Sequence, residues 1–167
     1  PPRMSHGFTL IELLVALALT AILATIAYPG FTTWLLNSRR DATVLAALHA
    51  VHAARQFAAT RDESVELCGT LDAAHCSGGT DWSMGLLVLG ADSSVRRSLP
   101  SLQAAHGLAL KSNRASIHFE PGTSYASPAT ITICDRRGGR EARAVIVSRS
   151  GRPRVSKRDA SNRVLQC

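Results

Sequence analysis

A run of basic residues near the C-terminus has the residue types and spacing of a binding site for an anion. Positions 149–158 hold five basic residues and no acidic one: Arg149, Arg152, Arg154, Lys157 and Arg158. Gly151 permits a tight turn, and Pro153 stiffens the backbone between Arg152 and Arg154. Side chains two apart on an extended segment share a face, so both guanidinium groups can reach one phosphate backbone. The run has no aromatic residue, so binding would be independent of base sequence and weakened by salt.

The whole net charge of the protein lies in this region. The 167 residues include 19 Lys and Arg against 12 Asp and Glu, a formal net charge of +7. Residues 135–167 hold ten basic and three acidic residues and so account for all of it. A charged run is most often a solvated surface, but this local excess favours an anionic partner. The secondary basic candidates are Arg136, Arg137, Arg140 and Arg143.

Four cysteines allow three disulfide pairings. We expect one bridge between Cys68 and Cys76, which would close a short loop, and one between Cys134 and Cys167. The second bridge would tie the last residue to a strand and turn the basic segment into a tethered surface. The sequence leaves the pairing open. A zinc site at Cys68, His75 and Cys76 is the weaker alternative, because adjacent His and Cys are awkward ligands.

The sequence carries no recognisable catalytic signature. It lacks a Gly-x-Ser-x-Gly elbow, a phosphate loop, a His-Glu metal helix and a pair of carboxylates with a plausible cleft. His49 and His52 lie three apart on a predicted helix, where a packed or solvent-facing pair is more common than a metal site. We therefore expect no enzymatic activity, no metal and no cofactor.

A long apolar segment occupies the N-terminal region. From Phe8 to Leu36 the only charged residue is Glu12. A helix over this range would be about 43 Å long, enough to cross a bilayer core of roughly 30 Å. A cleaved secretory signal and a plain membrane anchor both fit its length, and residues 25–27 would serve as a cleavage site. In both cases the carboxylate of Glu12 would lie in or near the lipid, which costs free energy unless it has a partner. We therefore prefer an explanation that gives Glu12 a role.

The segment Gly7-Phe8-Thr9-Leu10-Ile11-Glu12-Leu13-Leu14 closely resembles the processing site of type IV pilins and type II secretion pseudopilins. The resemblance implies that prepilin peptidase removes residues 1–7, that Phe8 is N-methylated, and that Glu12 acts in assembly with other pilin subunits. A charged amine on Phe8 of one subunit would neutralise Glu12 of a neighbour. It also implies a single-pass inner-membrane protein with a periplasmic head, later part of a surface filament, whose helix often breaks at the position of Pro29.

Four later segments resemble the GspH/FimT branch of minor pilins and pseudopilins: Val65–Cys68, Cys76–Gly79, Asp81–Val88 and Ala144–Arg154. In the FimT branch, a C-terminal Gly-Arg-x-Arg motif is associated with DNA binding during natural transformation. Gly151-Arg152-Pro153-Arg154 matches that motif. The resemblance implies double-stranded DNA as a partner, contacted by the basic run and Gly151. The GspH branch implies the alternative, a structural minor pilin or type II secretion pseudopilin without DNA binding.

The elements that must position these residues form an α+β, type IV pilin-like fold. We predict a transmembrane and assembly helix over residues 8–36 and its amphipathic continuation over 37–61, packed on an antiparallel β-sheet head over 62–167. Apolar residues at spacings of three and four predict the buried face of the continuation: Val44, Leu45, Leu48, Val51, His52 and Phe57. Short apolar runs predict seven strands: Val65–Cys68, Trp82–Leu89, Val95–Leu99, Ser116–Glu120, Thr130–Cys134, Arg143–Arg149 and Pro153–Ser156.

Overall fold

The computed structural model describes residues 9–100, 107–122 and 125–167. They form one long helix and eight strands. The helix α1 spans Leu10–Arg61, and Thr9 caps its start, because Thr9 Oγ1 accepts a hydrogen bond from the backbone N–H of Glu12 at 3.3 Å. The predicted helix end near residue 60 is confirmed. The chain comprises two units, Pro1–Asn37 and Ser38–Cys167.

The described part of the first unit is an apolar stretch of α1. Its large side chains are exposed as far as Trp34, and its hydropathy is high enough for it to be the candidate membrane span in the described residues. The helix continues through Pro29, so the break expected there is absent. A proline removes only one backbone hydrogen bond, and the Pro29 carbonyl accepts hydrogen bonds from the Thr32 and Thr33 hydroxyls, each at 3.0 Å.

The described residues of the second unit form two antiparallel sheets of four strands each, where one sheet was expected. The strand order in the first sheet is β3-β2-β1-β5, and in the second it is β4-β6-β7-β8. The strands are β1 Val65–Gly69, β2 Gly85–Leu89, β3 Val95–Pro100, β4 Ala109–Ser112, β5 Ser116–Phe119, β6 Ala129–Cys134, β7 Arg143–Val147 and β8 Pro153–Ser156.

The main core lies between α1 and the inner faces of both sheets. Four alanines of α1 are almost fully buried there, which lets the helix lie close to the strands: Ala47, Ala50, Ala54 and Ala58. Val44 and Val51 are buried as predicted. Leu45 and His52 are exposed, against the prediction. The buried face therefore follows small residues that a search for large apolar side chains overlooks.

Three strand predictions need correction. The second strand begins at Gly85, because Trp82 lies in an irregular segment, where its indole Nε1 donates to the Gly79 carbonyl at 3.1 Å. β7 ends at Val147, where a turn begins. β4 was not predicted, since Ala109–Ser112 alternates only weakly.

β7 is buried on both faces, as expected: Val145 and Val147 join the main core, and Ala144 and Ile146 join a smaller cluster on the opposite face.

Two disulfides connect the cysteines in the expected pairing. Cys68 is joined to Cys76, with their Cα atoms 5.6 Å apart, and Cys134 to Cys167, with their Cα atoms 5.8 Å apart. The second bridge fixes the last residue of the chain to the end of β6. The segment that follows β8 is therefore attached at both of its ends.

Candidate functional site

The basic run lies on the hairpin that joins β7 to β8 and on the segment that follows it. The Gly151 N–H donates to the Ser148 carbonyl at 2.9 Å, and the Ser148 N–H donates to the Arg152 carbonyl at 3.1 Å. This is a three-residue hairpin loop whose last residue, Gly151, has φ +67°. The loop is also held from outside, because the Ala126 N–H donates to the Arg149 carbonyl at 2.7 Å.

Gly151 is buried at the point where the loop meets the core. A β-carbon at this position would lie 3.5 Å from Ala126 Cβ, 3.5 Å from Arg55 Cδ and 3.6 Å from Phe119 Cδ1. These distances are ordinary contacts, so the main requirement for glycine is its positive φ. The glycine of the Gly-Arg-x-Arg segment therefore sets the path of the backbone that carries the arginines.

Arg154 lies on the edge strand of the second sheet. Its backbone pairs with Ile146 on β7, and cross-strand partners share a face of the sheet. Ile146 belongs to the cluster on the face away from α1, so Arg154 projects from that outer face. Arg152, two residues earlier, is exposed and lies on the same face by the strand period of two. The structure thus brings together the two arginines that the sequence analysis paired.

The principal cations are exposed and carry no ion pair within the described residues. They are Arg149, Arg152, Arg154, Lys157 and Arg158. Arg158 Nη1 donates to the Asn162 carbonyl at 3.0 Å, which holds it against the loop after β8. In the same loop Arg163 Nε pairs with Asp159 Oδ2 at 2.9 Å. Backbone and side-chain hydrogen bonds from Arg163 lower the pKa of the Asp159 carboxyl. The negative charge nearest to this end of the run is therefore already paired.

The four secondary candidates fall into two groups. Arg136 and Arg140 are exposed. Arg137 donates hydrogen bonds to the buried carboxylate of Asp135, with Nε 3.1 Å from each carboxylate oxygen. These hydrogen bonds hold the pKa of Asp135 below its usual range. Arg143 Nη1 donates to the carbonyls of residues 141 and 142 at 3.2 and 2.9 Å. Arg137 and Arg143 therefore stabilise the loop between β6 and β7.

One cation beside the hairpin could not be identified from the sequence around the basic run. Arg55 lies on α1, almost a hundred residues before Gly151, yet its side chain is next to that glycine. Tyr125, whose side chain is half exposed, adjoins Ala126 on the same side of the hairpin. Only the packing of α1 against the sheets brings these residues to the basic run, so no spacing rule could have identified them.

The described residues offer no cluster of three potential metal ligands. Cys68 and Cys76 are consumed in a disulfide, which removes the zinc alternative that used them. His75 Nδ1 instead lies 2.7 Å from Asp72 Oδ2. Hydrogen bonds from His75 and from the backbone lower the pKa of the Asp72 carboxyl. His49 and His52 are both exposed on α1.

Glu12 lies in the first turn of α1, with an exposed side chain. A carboxylate in this position interacts favourably with the helix dipole. The predicted cleavage and methylation residues, Gly7 and Phe8, lie outside the described residues, so their expected roles remain predictions.

Two sequence families match this chain. The family described as the prokaryotic N-terminal methylation motif matches residues 2–28, and the family described as type II transport protein GspH matches residues 45–151. No curated protein is significantly similar to the chain.

The fold is also similar to that of solved structures. One is the crystal structure of the type IV minor pilin FimU of Pseudomonas aeruginosa, with 18% identity and a TM-score of 0.58. The match covers 78% of this chain and 96% of that chain. A second crystal form of the same protein matches with 17% identity and a TM-score of 0.49, covering 64% of this chain and 83% of the other. The first match shows that the chain has the fold of a type IV minor pilin.

Proposed function

This chain belongs to the GspH family of type IV pilin-like proteins, and from that premise we propose that it is a minor pilin whose C-terminal hairpin binds double-stranded DNA during DNA uptake. The family consists of pilins and pseudopilins, which are filament subunits and not enzymes. The methylation motif implies processing by prepilin peptidase and assembly with other pilin subunits. The apolar segment of α1 fits a membrane-anchored subunit. We further propose that the head lies in the periplasm and then in a filament at the cell surface.

The observation that carries the DNA proposal is the set of cations without a carboxylate partner on the hairpin and on the segment that follows it. The proposed contacts are Arg149, Arg152, Arg154, Lys157 and Arg158, with Arg136 and Arg140 as flanking cations, while the buried Gly151 sets the path of the backbone that carries them. An exposed guanidinium group without a carboxylate partner is available for a phosphate, to which it can donate two parallel hydrogen bonds. Arg152 and Arg154 share a face, so they can span successive phosphates of one strand.

Binding of this kind is directed at the DNA backbone. Cations that neutralise phosphates release counterions from the duplex, so the affinity falls steeply as the salt concentration rises. The hairpin presents no helix to the major groove, so we expect no preference for base sequence. A filament that takes up DNA of any sequence needs such a contact, because strong sequence selection would restrict what it captures.

The test is a DNA-binding titration of the full chain in a neutral detergent at several salt concentrations. Fluorescence anisotropy of a labelled duplex reports the affinity of the wild type and of Arg152→Ala/Arg154→Ala. We expect the double variant to bind more weakly and its salt slope to be smaller by about 2, one unit for each lost phosphate contact. Both side chains are exposed, so the thermal unfolding temperature should stay unchanged.

The control is Arg97→Ala, which removes an exposed arginine from β3, the edge strand of the other sheet. This variant should bind DNA as the wild type does. If the wild-type chain fails to bind DNA at low salt, or if Arg97→Ala weakens binding as much as the double variant, the proposed DNA-binding hairpin is wrong.

A second candidate function is a purely structural minor pilin or type II secretion pseudopilin. The feature that favours it is the apolar N-terminal helix with Glu12, which serves assembly whether or not the head binds a ligand. The discriminating test is genetic. If the protein is only structural, deleting its gene should abolish piliation or secretion, and Arg152→Ala/Arg154→Ala should have no phenotype. If the protein binds DNA, cells that carry the double variant should lose natural transformation but still form filaments.

A further inference from the structure

We infer that a cavity beside the hairpin loop is an additional phosphate subsite, with Arg55 as its cation and the Tyr125 hydroxyl as a second donor. The cavity, of about 280 Å³, is open to solvent on the same side of the molecule as the loop. Its walls come from α1, from β5 and the residues after it, and from the loop itself through Ser150 and Gly151. This inference rests on the proposed DNA-binding function and extends the surface from the hairpin to the helix.

The side chain of Arg55 is the main reason for this assignment. Its Cδ packs against Gly151, so the aliphatic part of the side chain is held beside the loop. The guanidinium group makes no ion pair or hydrogen bond with any residue that the structure describes. Because Arg55 lines a cavity that is open to solvent, its guanidinium group is available to an anion. An anion entering the cavity would supply the missing partner, and the nearest proposed ligand is the DNA backbone on the hairpin.

Tyr125 provides a second group of the right chemistry. Its side chain is 50% exposed and lines the same cavity. The backbone carbonyl of Tyr125 accepts a hydrogen bond from the Glu120 N–H at 3.1 Å, which helps to hold this residue in place. Tyrosine hydroxyls are common donors to phosphate oxygens, alongside arginine. Arg55 and Tyr125 therefore offer a charged donor and a neutral donor in one recess.

Glu120 also lines the cavity, and it makes the inference testable in two directions. Its carboxylate forms no ion pair with Arg55 in the described part of the chain, but its charge would repel a phosphate within a few ångströms. Removing this charge should therefore strengthen the binding of an anion.

The experiment compares Arg55→Gln, Tyr125→Phe and Glu120→Gln with the wild type, using the full chain in detergent and a labelled duplex. For Arg55→Gln we expect an affinity about fivefold lower and a salt slope smaller by about 1. Tyr125→Phe should lower the affinity about twofold with an unchanged slope, because it removes a neutral donor. Glu120→Gln should raise the affinity about twofold. Thermal unfolding of each variant checks that the fold is retained.

The outcomes separate this inference from the function on which it rests. If Arg152→Ala/Arg154→Ala weakens binding but Arg55→Gln and Glu120→Gln leave the affinity and slope unchanged, the subsite is wrong and the DNA-binding hairpin stands. If Arg55→Gln fails to fold, Tyr125→Phe and Glu120→Gln still decide the question. If the wild-type chain does not bind the duplex at low salt, both the hairpin and the subsite are wrong.

Discussion

Gly151 lies directly against Arg55, with the arginine Cδ 3.5 Å from the point where a β-carbon of the glycine would stand. The glycine has φ +67°, which an L-amino acid with a side chain rarely adopts. The hairpin that carries the proposed DNA contacts is thus seated on α1 at a residue whose backbone conformation favours glycine. This contact and the pairing of β8 with β7 together position the arginines.

The first prediction concerns Gly151→Ala. Alanine fits the available space, but an alanine held at the positive φ of this position is strained by about 1 kcal/mol. We therefore expect a melting temperature lower by roughly 2–4 °C. Relief of this strain would also shift the loop that carries Arg149 and Arg152. We therefore expect a DNA affinity more than twofold lower, measured by anisotropy at a temperature where the variant remains folded.

A matched control separates loss of stability from loss of the site. Gly78 also has a positive φ, +69°, and a β-carbon there would meet nothing within 4 Å. Gly78→Ala should lower the melting temperature by a similar amount while the affinity stays at the wild-type value. Equal affinities for Gly151→Ala and Gly78→Ala would contradict the role assigned to the hairpin conformation.

A second prediction concerns the disulfide that joins Cys134 to Cys167. In the chain-entropy model its 33-residue loop contributes about 4 kcal/mol, against about 2.5 kcal/mol for the shorter loop between Cys68 and Cys76. Cys134→Ser/Cys167→Ser should also weaken DNA binding, because the segment after β8 would have to be ordered on binding. Denaturant unfolding and anisotropy at low temperature measure the two effects.

The comparison variant is Cys68→Ser/Cys76→Ser, which opens a loop at the other sheet. It should lose the smaller amount of stability and keep the wild-type affinity. If DNA binding is weakened in this variant but unchanged in Cys134→Ser/Cys167→Ser, the tethering of the basic segment does not contribute to DNA binding.

Much of the fold could be predicted because its signals are local. The helix end near Arg61, seven of the eight described strands (two of them with one end misplaced) and the burial of both faces of β7 follow from apolar periodicity and turn residues. β4 was missed because its four residues alternate only weakly. Trp82 was placed in a strand because a large apolar residue before an apolar run looks like its beginning, although its indole is held by the Gly79 carbonyl.

The basic surface was predictable only in part, for a physical reason. Arg152 and Arg154 share a face because they are two apart on the extended backbone that leads into β8, and such spacing can be read from sequence. The engagement of Arg137 with Asp135 and the approach of Arg55 to Gly151 depend on a loop and on helix packing. A count of charges treats Arg136 and Arg137 alike, whereas the structure leaves the first exposed and pairs the second.

A third prediction uses the pair of Asp135 and Arg137. Hydrogen bonds from Arg137 lower the pKa of the buried Asp135 carboxyl in the folded state, compared with about 3.9 in an unfolded chain. The stability from this pair is fully present above the unfolded pKa and is lost as the pH falls through the folded pKa. We therefore expect the melting temperature of the wild type to fall more between pH 5 and pH 2 than that of Asp135→Asn.

Other aspartates also have lowered pKa values, so the pH dependence must be assigned by a pair of variants. Arg137→Gln removes the main hydrogen-bonding partner and should also reduce the acid sensitivity, and adding it to Asp135→Asn should give no further reduction, because the titrating carboxyl is then already absent. Additive effects of the two substitutions would show that the acid sensitivity has another origin. Neither variant should change the salt slope of DNA binding, since Arg137 is engaged with Asp135.

The last prediction concerns Glu12. Its carboxylate is exposed in the first turn of α1, whereas its backbone N–H is satisfied by Thr9 Oγ1, so substitution of the side chain should leave the start of the helix intact. We expect both Glu12→Ala and Glu12→Gln to reduce incorporation into filaments at least tenfold, because neither can neutralise the terminal amine of a neighbouring subunit. Immunoblots of sheared filaments measure incorporation, and thermal unfolding should show an unchanged head. If Glu12→Gln is incorporated at the wild-type level, charge pairing is not the role of this residue.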